Sequence, residues 1–109
     1  PVVLSRATHR FTSFPHVFDA TFTCDHPGIG RLWETSVRTL WLCGHETYED
    51  CPYFEQLNYV GDSRLQALCG FYLGNDTRLA RRCLELVRDS LGPEGLTASR
   101  APCRRRQLI

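Results

Sequence analysis

Apolar positions change period near residue 24. Before it, Val2, Val3 and Leu4 form a short apolar run. Phe14, His16, Phe18, Ala20 and Phe22 then share one parity, with Pro15, Val17, Asp19, Thr21 and Thr23 on the other. Period-two aromatic and β-branched usage predicts a half-buried strand. One or two strands cannot make a sheet alone, so this segment calls for partners from elsewhere.

From Asp25 onward the spacing is helical. Ile29, Leu32, Trp33, Val37, Leu40 and Trp41 predict a helix from about Pro27 to Cys43, capped by Asp25 and stopping near Gly44. Residues 44–61 lack clean periodicity and read as a long ordered loop. A second helix is predicted to start at Asp62 as N-cap, with Leu65, Leu68, Cys69, Tyr72 and Leu73 in one stripe. Ala67 and Phe71 add apolar surface on another side, which predicts broad burial. After Gly74, Asn75 and Asp76 comes a third helix, with Leu79, Ala80, Cys83, Leu84 and Val87 at i, i+4 and i+8 spacing, ending near Gly92–Pro93. The short connection pairs helices two and three as a hairpin. The pattern is mainly α: a strand segment, then about three helices whose apolar faces ask for more neighbours.

Composition narrows the function classes. The chain has 109 residues, room for one small domain, and 42% hydrophobic residues with a formal net charge of +1, which excludes disorder. No run of about 18 apolar residues exists to span a membrane. No basic n-region and apolar h-region of a secretory signal is visible at the start. All thirteen basic residues are arginine. Arg104, Arg105 and Arg106 concentrate basic charge at the C-terminal end, so no nucleic-acid footprint covers the rest.

The six cysteines, Cys24, Cys43, Cys51, Cys69, Cys83 and Cys103, form no CxxC pair, which argues against a zinc site. Three of them fall within apolar helical stripes, where a free thiol acts as a small hydrophobe. Reduced thiols favour a cytoplasmic location. His9, His16 and His26 show no ligand spacing, and no metal or cofactor is expected.

Chemistry concentrates in Asp50-Cys51-Pro52-Tyr53-Phe54-Glu55-Gln56-Leu57-Asn58-Tyr59-Val60-Gly61-Asp62. Carboxylates mixed with aromatics suit a sugar, which offers hydroxyls to the first and apolar C–H faces to the second. Paired carboxylates are also the acid–base machinery of glycoside hydrolysis. A general acid must carry its proton at working pH, which a desolvated aromatic setting favours. Glu55 is the local candidate. Each residue also has a plain structural use: Asp62 as a helix cap, Asp50 as a turn former, Tyr53, Phe54 and Tyr59 as packing.

The stretches HETYEDCPYFEQLNYVGDSRLQAL and LARRCLELVRDSLGPEGLTASRAP resemble the catalytic domain of bacterial α-L-rhamnosidases, six-hairpin glycosidases built on an (α/α)6 barrel. The likeness runs from about Phe14 to Pro102 and rests on the pattern D-C-P-x-x-E-x-x-x-Y-x-G-D. It implies residues 1–24 as the end of a β-sandwich-like domain and linker. It implies 25–102 as the first part of the barrel, and leaves 103–109 as an aberrant or disordered tail of the kind a frame shift produces.

The resemblance implies Glu55 as the general acid of an inverting hydrolysis of terminal α-L-rhamnosyl linkages. Asp50 and Asp62 match acidic positions that bind sugar hydroxyls. Tyr59 matches an aromatic wall that is often tryptophan in relatives. Tyr53 and Phe54 replace polar residues of a D-C-P-Q-R version of the loop. The family's base is a downstream glutamate that Glu85 and Glu94 do not match, so the base is expected outside this chain and the isolated chain is expected to be inactive.

A carbohydrate partner follows from this reading, with self-association through uncovered helix faces. Two other readings compete: a non-catalytic helical interaction module, and a related six-hairpin uronic-acid hydrolase or lyase.

Overall fold

The computed structural model describes residues 2–104, and it is mainly helical: α1 spans Pro27–Leu42, α2 Val60–Leu73 and α3 Arg78–Asp89. Proline at the first position of α1 costs no hydrogen bond, because that N–H has no partner inside the helix. The cap is His26, whose Nδ1 accepts from Gly28 N at 3.2 Å, rather than the expected Asp25. Asp25 stands one residue too early to reach the free N–H groups. The helix ends at Leu42, with Cys43 N donating to Thr39 O and Leu40 O.

The second helix starts two residues before the expected Asp62. Tyr59 is its N-cap without a side-chain bond, and Asp62 lies in the first turn, where a carboxylate is favourable at the helix's positive end. The third helix begins behind Asp76, whose Oδ1 accepts from Arg78 N at 3.1 Å, and it ends at Asp89, before the expected Gly92–Pro93. Four residues, 74–77, turn α3 back onto α2.

The predicted N-terminal strand does not form among the described residues. The segment carries no regular backbone ladder, with His16 N turned back onto Phe14 O at 2.8 Å, and the His16 ring meets Phe14 edge-on and stacks on Phe18, with centroids 4.9 and 4.8 Å apart. A strand needs a partner edge, and the chain supplies only scattered acceptors. Phe14 N donates to Gly44 O at 2.7 Å, and Asp19 N and Ala20 N both donate to Leu73 O at 3.0 Å. The segment is held by side chains instead. Phe22 stacks on Trp33 and Phe11 meets Trp41 edge-on, both on α1. Arg78 lies over the Phe14 ring, donates to Pro15 O at 2.9 Å and pairs with Asp76 at 2.7 Å. That guanidinium holds the Asp76 carboxyl down at about 2. Gly44 and Gly74 allow the close approach: a Cβ would overlap His16 Nε2 at the first and Val17 O at the second.

The core is small. Tyr48, Leu79, Ala80 and Cys83 are buried together, with Phe14, Ala67 and Val87 against them. Burial pushes the Tyr48 phenol up to about 12. Broad burial of α2 is not found: Leu65, Leu68, Cys69, Phe71 and Tyr72 are exposed, and α1 has no buried residue. The Cα radius of gyration is 17.4 Å, against ~13 Å for a compact chain of this length. The molecule is a slab, 54 × 50 × 21 Å, whose helices present apolar sides to solvent.

All six cysteines are free, and no helix of the described residues is long and apolar enough to cross a membrane. Of the expected aberrant tail, Cys103 and Arg104 are exposed and residues 105–109 lie outside the described residues.

The uneven burial of α3 gives a test. Leu79 is 2% exposed and Leu84 is 71% exposed. Leu79→Ala is expected to destabilise the chain by about 2–4 kcal/mol, and Leu84→Ala by less than about 0.5 kcal/mol. Urea denaturation of the two variants measures the difference.

Candidate active site

The segment rich in carboxylates and aromatics forms a loop with a fixed neck. Asp50 N donates to Leu57 O, and Leu57 N donates to Asp50 Oδ1, both at 2.9 Å. These two bonds close residues 51–56 into a projecting turn. Glu55 N approaches Cys51 Sγ at 3.3 Å, and Gln56 Nε2 donates to Pro52 O at 3.1 Å. Gln56 leaves the turn with φ +53°, a left-handed conformation uncommon for a residue with a side chain. Tyr53 and Phe54 stand at the tip in an edge-to-face pair, 78% and 87% exposed.

Beyond the neck, the chain is sewn to a segment more than forty residues downstream. Asn58 Nδ2 donates to Ala101 O at 2.7 Å, and Ala101 N returns a bond to Asn58 O at 3.2 Å. Val60 N donates to Ser99 O, and Ser63 Oγ donates to Asn58 Oδ1 at 2.6 Å. Asn58, Ser63 and Ala101 are all buried. Tyr59 and Arg100, bridged between these stretches, therefore face each other.

The outcome is a chain of side chains on the loop surface. Arg100 Nη1 donates to Tyr59 Oη at 3.1 Å, and its guanidinium lies 5.8 Å from the Tyr59 ring centre. Tyr59 Oη donates in turn to Glu55 Oε2 at 2.7 Å. The hydrogen bond to Glu55 raises the Tyr59 phenol above its ordinary value, with Arg100 opposing. The phenol thus keeps its proton and acts as donor.

Of the expected site residues, Glu55 and Tyr59 are in direct contact. Asp50 forms the neck of the same loop, with its carboxyl held below the ordinary range by the Leu57 N–H. Asp62 is exposed on the first turn of α2, one helical turn beyond Tyr59. Arg100 is the participant that sequence reasoning missed. Its only signal was a place in the SRAP stretch, whose partner is 41 residues away. Glu49 is also close by. It is buried, with Oε1 3.0 Å from His45 Nδ1 but off the hydrogen-bonding line, while Gln66 Nε2 donates to its backbone oxygen.

The apolar clefts lie elsewhere. One, about 480 Å³, runs between α2 and α3 past Ala67, Phe71 and Leu84, and another, about 430 Å³, lies between α1 and α2. They are grooves between helices of the kind a further helix fills in a bundle. No group of three or more His, Cys, Asp or Glu side chains suited to a metal ion occurs among the described residues.

Asp50 makes the loop neck sensitive to acid. Its folded pKa is depressed, so the stability it contributes is present above the ordinary value of 3.8 and is lost as pH falls through the depressed one. Protection of the Leu57 amide, taken against its intrinsic exchange rate at each pH, is expected to be high above that window and to fall below it. Asp50→Asn should remove the pH dependence while keeping the bond, and Asp50→Ala should speed exchange at every pH.

No curated protein and no solved structure matches the chain. A family model does, over residues 18–108, which include the whole loop, all three helices and the 99–101 strip. The chain belongs to the bacterial alpha-L-rhamnosidase six-hairpin glycosidase domain family.

Proposed function

We propose that this chain carries the acid half of an inverting glycosidase that removes terminal α-L-rhamnosyl units. The observation that carries the reading is the 2.7 Å bond from Tyr59 Oη to Glu55 Oε2, which fixes one carboxyl at the surface of a pinned loop. An exposed glutamate on a free loop would sample many rotamers. This one has a partner, and its loop has a neck.

Glu55 would protonate the glycosidic oxygen. A second carboxylate, on the far side of the sugar, would draw a proton from the attacking water. Inverting pairs stand about 6.5–9.5 Å apart to leave room for that water. That base is assigned to a segment outside these 109 residues, so the isolated chain is expected to be inactive. Asp50 and Asp62 would take sugar hydroxyls, and the Tyr59 ring would wall the sugar. Asp50 already spends Oδ1 on Leu57 N, which leaves Oδ2 for a hydroxyl.

The competing helical-module reading draws on the uncovered apolar faces of α1, α2 and α3. The same faces are where the remaining hairpins of a barrel would pack, so they do not favour it. The uronic-acid alternative would ask for a cation facing the sugar carboxylate, and the Arg100 guanidinium beside this loop donates to the Tyr59 phenol.

The test is hydrolysis of an aryl α-L-rhamnoside by the complete barrel that contains this segment. Glu55→Gln is expected to lower kcat by about 10²–10⁴-fold, the worth of a general acid. An unchanged rate would remove Glu55 from the role. The 109-residue chain alone should give no turnover above buffer, and robust turnover would overturn the division between acid and base.

A further inference from the structure

We propose that Arg100 and Tyr59 form a positioning pair that reserves Oε2 of Glu55 for Tyr59 and leaves Oε1 to carry the transferable proton. The proposal rests on Glu55 being the acid.

A phenol has one O–H and accepts through its oxygen lone pairs. Arg100 can only donate, so the Tyr59 oxygen must accept from it at 3.1 Å. The single phenol hydrogen is thereby turned to Glu55 Oε2 at 2.7 Å. A protonated carboxyl has one good acceptor, its carbonyl oxygen, and one hydroxyl. With Oε2 held as the acceptor, the hydroxyl is Oε1.

The two bonds also change strength as the reaction proceeds. When the proton leaves Oε1 for the glycosidic oxygen, the sugar carbon–oxygen bond breaks and its electron pair stays with the departing oxygen. Water supplies the new bond to carbon and loses its proton to the distant base. Glu55 is then a carboxylate, and the Tyr59 bond becomes charge-assisted. Bonds to ionised acceptors are roughly twice as strong as neutral ones. The pair therefore stabilises the developing charge more than the starting acid, the kind of difference that raises kcat rather than tightening binding.

The placement is built into the fold. Asn58 and Ala101 exchange two hydrogen bonds on one side of the Tyr59–Arg100 bridge, and Val60 bonds Ser99 on the other. The Arg100 side chain is part-buried, and the hydrogen bond given to its guanidinium runs from Nη1 to Tyr59 Oη.

Two measurements test the pair. The first uses the 109-residue chain, with the Tyr59 ring carbon beside the oxygen followed by NMR through alkaline titration. Glu55→Gln is expected to lower the Tyr59 midpoint by roughly 0.5 pH unit or more, because it removes the charge that stabilises the phenol. Arg100→Gln is expected to raise it. An unmoved midpoint on Glu55→Gln would overturn the pair. That variant lies on an exposed loop and keeps the fold, so the result stands even if Arg100→Gln unfolds the strip.

The second measurement uses the complete barrel. Tyr59→Phe keeps the ring that walls the sugar and removes only the hydroxyl. We expect kcat to fall about tenfold with KM changed less than about twofold. An unchanged kcat would overturn the pair while leaving Glu55 as the acid. A Glu55→Gln enzyme of full activity would instead overturn the reading on which the pair rests.

Discussion

The exchange of hydrogen bonds between Asn58 and Ala101 holds the rest of the site in place. Asn58 is 3% exposed, Ser63 2% and Ala101 3%, so the staple lies among the best-shielded parts of a chain with little core. Buried polar networks are costly to break, because each freed group loses its partner without gaining water. From this staple the geometry follows in two directions. Tyr59 is set at the start of α2, and Arg100 is laid across it from the strip that returns after α3. The returning strip is itself tied to the end of α3, where Ser90 Oγ accepts from Ala98 N at 3.0 Å. One pairing across 43 residues thus joins the Glu55 loop, the first turn of α2 and the far end of the hairpin.

The helices make sense only against neighbours they do not meet within this chain. Among the described residues α2 and α3 pack closely on each other, and α1 is reached mainly by aromatic side chains of the N-terminal segment. The grooves beside them are apolar and open. A mainly helical slab with open apolar faces agrees with part of a six-hairpin domain, the family to which the chain belongs. The polar staple differs from those faces in being satisfied within the chain.

Much of the helical content was legible because 3.6-residue spacing reports burial along a single element. The end of α1 was readable to within one residue, and the hairpin of α2 and α3 followed from a four-residue connection. The failures share a cause. Period-two spacing at Phe14, His16 and Phe18 reports rings that fall in one row, as they do, but cannot report a partner edge, which is absent among the described residues. Asp62 looked like a cap because its side chain suits one, yet the helix starts two residues earlier, at Val60, where the backbone is tied to Ser99 of the returning strip. The local composition and the family resemblance singled out Glu55 and Tyr59, and the structure brings these two side chains into contact. Arg100 was invisible, because nothing local to it shows what the returning strip will meet.

The central claim is that Glu55 stands where a glycosidic atom would receive its proton. A crystal structure of the complete barrel with a non-hydrolysable S-linked α-L-rhamnoside tests it directly. The account places Glu55 Oε1 within about 2.6–3.5 Å of the bridging sulfur, with Oε2 still on Tyr59. A ligand whose bridging atom faces another carboxylate, with Glu55 turned to solvent, would contradict it.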